Sequence, residues 1–347
     1  MKKKNVLKSN YPYLPQLKEK PSELRQDMVS QDWVVIATGR ARRPHFFKSQ
    51  TRTKFSLPKS KCPFDNLKQA GNPEPIAIYK APHGQNWFIQ VLPNKFPAFS
   101  YGVCPVVKKS GPYSWLEGVG FHEVIVTKDH DRQIAKFSDE EMNLVLRAYQ
   151  ERYLALKNDP CTEYVLIFHN HGFEAGASIP HPHSQLVGMP VAPPDVVNSL
   201  RGSQRYLKQH KACVHCAMIK WELKFKKRIV AENDTAVAFC PFASRRAFEI
   251  RVFPKNHSSH FELISEKERL GFAQVLRKAL KSLFGGLNDP AYNFFIHTTP
   301  TKQKDRHYHW HLEILPVTST WGGVEFGTGI EISTITPEEA AKYLRKF

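Results

Sequence analysis

Gly176-Ala177-Ser178-Ile179-Pro180-His181-Pro182-His183-Ser184-Gln185 is echoed later in the chain by His309-Trp310-His311. Two histidines one residue apart on a strand face the same way and can share a site. Imidazole serves as nucleophile, proton carrier or metal ligand near neutral pH. A small-residue loop just ahead of the pair lets backbone N–H groups approach a phosphate. The second pair lacks such a loop, so His311 reads as structural.

The echo extends into a long duplication. Cys62-Pro63-Phe64-Asp65, Lys128-Asp129-His130 and His181-Pro182-His183 are matched by Cys213-Val214-His215-Cys216, Lys255-Asn256-His257 and His309-Trp310-His311. The middle histidine precedes the first of each pair by 51 residues in one half and 52 in the other, too regular for chance. Residues 123–126 and 249–252 read as strands before those histidines. Ser138 and Ser265, each with Glu three residues on, predict capping boxes opening a helix. Both helices are expected to end near Asn-Asp-Pro, at 158–160 and 288–290, because Pro cannot continue them. Strands at 164–168 and 292–297 follow. The fold class is therefore α+β: two duplicated units, each an antiparallel sheet with packed helices. The boundary is placed at residues 1–192 and 193–347, where a Pro-rich turn leads into a helix expected from Asp195.

The 347 residues suffice for two such units. With 41% hydrophobic and 12% aromatic residues, the chain can build cores, which excludes a disordered protein. No stretch approaches the roughly 20 apolar residues of a membrane span. The basic start is interrupted by Lys8, Ser9 and Asn10 before any apolar signal region, so a cytoplasmic location is expected. A net charge of +18 favours anionic partners. No nucleic-acid module is recognisable, and nucleic acid is not expected as a partner.

Cys-x-x-Cys with two histidines is a tetrahedral zinc set, thiolate and imidazole both suiting the metal. Cys213, Cys216, His257 and His309 supply it in the second half. Cys62, Asp65, His130 and His181 supply the first-half counterpart, with a carboxylate in place of one thiolate. Cys104, Cys161 and Cys240 are expected to be small buried hydrophobes, and His122, His169 and His171 polar strand-end residues. With His181 a metal ligand, His183 becomes the chemical residue, an imidazole that can attack phosphorus and split one transfer into two steps. Gln185, next on that face, can hydrogen-bond a phosphoryl oxygen but cannot protonate a poor leaving group. That favours transfer over hydrolysis.

These residues, with Asn170 and Gly176-Ala177-Ser178, resemble the signature of the galactose-1-phosphate uridylyltransferases, nucleotidyltransferases of the histidine-triad superfamily. The resemblance spans nearly the whole chain and includes Arg40-Ala41-Arg42-Arg43-Pro44 and Pro93-Asn94-Lys95-Phe96-Pro97. It implies that His183 forms a covalent nucleotidyl-histidine and that Gln185 and Ser178 contact the phosphates. It places Arg40 and Arg43 near the nucleotide, Asn94 and Phe96 in the nucleoside pocket, and Asn170, Gly176 and Ala177 around the phosphates. Zinc at two sites and a homodimer are implied as well. The substrates implied are a nucleotide sugar and a sugar-1-phosphate or inorganic phosphate.

Three departures stand out. Asp65 replaces the usual Cys, Lys95 replaces an acidic residue near the nucleoside, and residues 322–329 lack the Lys and Tyr used on hexose phosphate. That stretch, expected to be a glycine-rich loop with Gly323, Phe326 and Gly327 as candidate substrate contacts, looks more like the branch containing ADP-glucose phosphorylase. The expectation is a UDP-glucose–hexose-1-phosphate uridylyltransferase working by ping-pong transfer. Behind it stand an ADP-glucose phosphorylase-like adenylyltransferase using phosphate, a nucleotide hydrolase, and a non-catalytic zinc-stabilised nucleic-acid-binding protein.

Overall fold

The computed structural model describes residues 22–39, 56–303 and 307–347. Arg40 and Arg43 lie outside the described residues. Fifteen strands and six α-helices are assigned among them.

Each half contributes five strands in the same pattern. The first half supplies β3 (Ala77–Lys80), β4 (Trp87–Pro93), β7 (Phe121–Thr127), β8 (Tyr164–His171) and β9 (His183–Met189). The second supplies β10 (Ile229–Glu232), β11 (Ala236–Phe239), β12 (Ile250–Pro254), β13 (Tyr292–His297) and β14 (His311–Pro316). They join in one sheet of order β10-β11-β12-β14-β13-β8-β9-β7-β4-β3, every neighbouring pair antiparallel. The two β-units meet where β8 pairs with β13, from Tyr292 opposite His171 to Ile296 opposite Ile167. β9 and β14 each begin on the second histidine of their His-x-His.

Both expected capping boxes form. Ser138 opens α1 (Asp139–Lys157) and Ser265 opens α4 (Glu266–Gly286), each hydroxyl accepting from the N3 backbone while the N3 Glu reaches back. After α4, Asn288 and Asp289 take left-handed backbone ahead of Pro290 and end it. The two helices cover one sheet face with a shared core, Leu146, Tyr149 and Tyr153 from α1 packing with Phe272, Leu276 and Leu280 from α4. Strand alternation sorts the residues beneath. Ile125, Leu186, Val252 and Leu312 face the helices, so Val124 and Val126 face the other way, as do His183 and Gln185 beside Leu186, and His311 and Glu313 beside Leu312.

That opposite face carries α2 (Pro194–His210) and α3 (Val214–Phe225). β1 (Glu23–Gln26) and β2 (Trp33–Ile36) form a small sheet with β15 (Glu331–Ser333) near the C-terminus. The turn between β1 and β2 is pinned to the second half: buried Asp27 pairs with Arg251 at 3.1 Å. Gly202 of α2 leaves no room for a β-carbon, which would sit 1.8 Å from the Val29 carbonyl oxygen. The N-terminal strands thus pack on the second unit's side of the chain.

Two expectations are corrected here. Cys104 and Cys161 are not buried hydrophobes. They form a disulfide, Cys104 exposed and Cys161 half-buried, tying the loop after Asn94 and Phe96 to the turn before β8. Cys240 is buried as expected. The stretch around Gly323, Phe326 and Gly327 is not an open loop but a short helix, α5 (Gly323–Thr328). Glu325 accepts from the Gly322 N–H at 2.9 Å, which offsets the poor helix propensity of glycine. The chain closes with α6 (Pro337–Leu344). No helix among the described residues is long and apolar enough to cross a membrane.

Candidate active site

Two four-residue clusters occupy matching places in the halves. In each, the donor atoms lie within 4.8 Å of one another: Cys62, Asp65, His130 and His181, and Cys213, Cys216, His257 and His309. In the second, Cys216 Sγ is 3.2 Å from His257 Nδ1 and 3.4 Å from His309 Nδ1. In the first, Cys62 Sγ is 3.4 Å from His181 Nδ1, and Asp65 Oδ2 is 3.3 Å from the same nitrogen. Ligands on a tetrahedron with zinc–sulfur and zinc–nitrogen bonds of about 2.3 and 2.05 Å stand about 3.5 Å apart. Both clusters fit that ion.

The remaining imidazole nitrogens support this. His181 Nε2 donates to the Thr127 carbonyl at 2.6 Å, His130 Nε2 to Leu57 at 2.6 Å and His309 Nε2 to Pro254 at 3.0 Å. Each ring therefore keeps a bare Nδ1 aimed at its cluster, the outer-shell arrangement of metal-ligating histidine. Cys216, with His215, His257 and His309, pulls the Cys213 thiol far below its usual range. Burial pushes the Cys62 thiol up to about 11, so an occupying cation is what would make it a ligand.

His183 stands beside the first cluster but outside it. Its Nδ1 donates to the His181 carbonyl at 2.9 Å, leaving Nε2 with the lone pair. Burial lowers its pKa to about 4. Phe64, in the turn between Cys62 and Asp65, sets its ring edge-on to both His183 and His181, at 5.1 and 5.8 Å between centroids. Ser184 points to the helix side, where its hydroxyl meets Tyr149 at 2.5 Å and His169 Nδ1 at 3.1 Å.

His183 opens into a cavity of about 390 Å³ that is also lined by Asn94, Lys95, Phe96, Ser178 and Gln185. Asn170 and Ala177 line a small adjoining cleft with His181. Gly176 takes left-handed backbone at φ 85° in the turn that presents Ser178, and its carbonyl accepts weakly from the Asn170 amide at 3.5 Å. Gly323, Phe326 and Gly327 do not line the His183 cavity. They sit by the second-half cavity, whose walls include Trp321, Gly329 and His311. There His311 repeats the geometry of His183, Nδ1 to the His309 carbonyl at 3.1 Å, but its Nε2 meets Glu313 at 3.3 Å. Arg245 and Arg251 pair with that same glutamate, consistent with a structural role.

Several residues near the site were not singled out by pattern. Asn293 on β13 donates to Asn170 Oδ1 at 2.9 Å and to the Ala175 carbonyl at 2.7 Å. His122 on β7 touches both Asn94 and Gln185. Phe64 was visible only as a spacer in the metal motif.

Residues 14–193 match the family model described as galactose-1-phosphate uridyl transferase, N-terminal domain, more than half of the chain. The chain belongs to the galactose-1-phosphate uridylyltransferase family. It is a nucleotidyltransferase. Residues 117–346 also match a domain of unknown function, DUF4921. The chain is 34% identical over 332 residues to ADP-glucose phosphorylase of Arabidopsis thaliana, covering 93% of this chain and 92% of that one. Against the galactose-1-phosphate uridylyltransferase of Thermotoga maritima it is 26% identical, covering 93% and 98%. Among solved structures, an Arabidopsis thaliana ADP-glucose phosphorylase with bound ADP-glucose superposes with a TM-score of 0.79 at 31% identity, covering 94% of this chain and 99% of that one. A uridylyltransferase superposes at 0.73 with 26% identity, covering 93% and 97%.

Proposed function

We propose that this nucleotidyltransferase acts on a nucleoside diphosphate sugar through His183. The bare Nε2 attacks the α-phosphorus, the anhydride bond breaks, and sugar-1-phosphate leaves with the bond's electron pair. An acceptor phosphate oxygen then attacks the same phosphorus, the P–N bond breaks, and His183 returns to its neutral state. The observation that carries this is the orientation of His183: neutral, Nδ1 tied to a carbonyl, Nε2 facing a cavity that Ser178 and Gln185 also line. Gln185 and Ser178 are assigned to the phosphoryl oxygens, Asn170 with Gly176 and Ala177 to the same group, and Asn94 and Phe96 to the nucleoside. Arg40 and Arg43 keep the nucleotide role implied by resemblance.

Of the two acceptor readings, transfer to inorganic phosphate, as in an ADP-glucose phosphorylase, is placed first. It is supported by the higher identity to the plant enzyme. Transfer of uridylyl to a hexose-1-phosphate stands beside it on the bacterial likeness. Zinc held by Cys62, Asp65, His130 and His181, and by Cys213, Cys216, His257 and His309, would supply fixed charge and rigidity. Residues 1–192 and 193–347 are read as two copies of one ancestral unit, and the protein as a cytoplasmic homodimer.

The test offers purified protein ADP-glucose or UDP-glucose labelled in the α-phosphate, alone and then with phosphate or galactose-1-phosphate. Labelled enzyme and released glucose-1-phosphate are expected, with label lost to the true acceptor. In His183→Gly labelling should vanish while zinc content stays. Undiminished labelling of that variant would refute the mechanism.

A further inference from the structure

We infer that His122 is a positioning residue that decides which end of the Gln185 amide faces the reacting phosphorus; this rests on the His183 reading above. The Ala98 backbone N–H can only donate. It donates to His122 Nδ1 at 3.0 Å, so that nitrogen carries no proton. A neutral imidazole cannot accept at both nitrogens, so the proton sits on Nε2. Burial lowers the His122 pKa and keeps the ring neutral.

Two groups approach His122 Nε2. Asn94 Nδ2 is 3.1 Å away, but Asn94 Oδ1 accepts the Phe96 N–H at 2.9 Å. Its NH2 end therefore faces the histidine and can accept nothing. The remaining partner is Gln185 Oε1 at 2.8 Å, which takes the Nε2 proton. With its carbonyl occupied, Gln185 has its NH2 end left for the cavity it shares with His183. That end donates to a phosphoryl oxygen as negative charge grows there. Turned over, the same side chain would present a carbonyl and repel it. The chain Ala98 N–H, His122, Gln185 thus runs from the nucleoside wall to the phosphate end of one cavity. A single backbone hydrogen bond sets its sense.

Three substitutions separate orientation from packing. His122→Gln places an amide nitrogen near the lost Nε2 and keeps a donor. His122→Ala leaves Gln185 free to rotate. His122→Glu supplies an acceptor, which draws the Gln185 NH2 to itself and turns the carbonyl to the cavity. The readout is the single-turnover rate of nucleotidyl-enzyme formation with ADP-glucose and UDP-glucose, with KM, melting temperature and zinc content alongside. The expected order is Gln fastest, Ala slower and Glu slowest. His122→Gln should stay within a few-fold of wild type and His122→Glu fall about hundredfold, the scale for losing one oxyanion donor. KM should move about twofold or less, because the interaction strengthens only as charge develops.

In a Gln185→Ala background the differences among the three should collapse, since nothing remains to orient. Equal rates for His122→Glu and His122→Gln in the parent, with wild-type enzyme labelled, overturn the inference and leave the His183 reading standing. If His122→Glu does not fold, equal rates for the Ala and Gln variants overturn it in the same way. A wild-type protein that no nucleotide sugar labels overturns the His183 reading itself, and this role with it.

Discussion

Asn293 belongs to the second unit but holds a side chain of the first, so replacing it should disturb the site from across the sheet. Its NH2 group donates to Asn170 Oδ1 and to the Ala175 carbonyl. Both bonds cross the pairing of β13 with β8, where Asn293 stands opposite Asn170. Asn293→Ala removes two hydrogen bonds of about 1 kcal/mol each, so stability should fall by about 2 kcal/mol. For a chain of this length that is a drop in Tm of about 3 °C. Asn293→Asp should be worse, by about 1–2 kcal/mol more, because a carboxylate then faces the Ala175 carbonyl with no hydrogen to offer.

Nucleotidyl transfer should respond as well. Once Asn170 Oδ1 is released, its amide is no longer held toward the Gly176 turn, and loss of one such orienting contact is worth about tenfold in rate. Differential scanning calorimetry measures the first effect and single-turnover labelling the second. An alanine variant that melts and labels like wild type would refute the reasoning. So would an aspartate variant no worse than alanine, since the sense of the hydrogen bonds would then be irrelevant.

Cys216→Ser should lower bound zinc from two ions per chain to one, read by mass spectrometry under native conditions, because His257 and His309 both face that thiol. Burial raises the Glu331 carboxyl to about 7, so between about pH 4.5 and 7 the folded state keeps a proton there that the unfolded state releases. Its stability contribution is complete below pH 4.5 and lost as pH rises through 7. Glu331→Gln should therefore gain about 2 kcal/mol on wild type between pH 5 and 8.5, and urea melts showing a pH-independent difference would exclude this. Alkylation of the purified protein tests the Cys104–Cys161 bond: both cysteines should escape labelling until a reductant is added, and labelling of either without reductant would contradict it.

Local signals carried most of what was legible. Ser138 and Ser265 announce their helices because a capping box is written in four consecutive residues. The two four-residue clusters were readable because cysteine and histidine recur at matched spacing, so one half interprets the other. The pairing of β8 with β13 had no such signal, because which strand edges meet is not written in any local pattern. Residues 322–329 were read by their glycines, and the Glu325 cap on Gly322 was the overlooked cue. Cys104 and Cys161 lie 57 residues apart, without a twin in the second half to flag them. The roles of His122 and Asn293 depend on hydrogen-bond direction, which no residue pattern encodes.

The mirrored strand order has a consequence for the halves as separate molecules. β8 and β13 are each the last strand of their own five, so severing the chain between β9 and α2 would bare one long, largely apolar edge on each fragment. An edge of that kind seeks another strand, and the nearest shape to the missing partner is the same strand from an identical fragment. Each half is thus a protomer in search of its copy. The intact chain ties the two edges together, one half turning His183 to a cavity and the other holding His311 against Glu313.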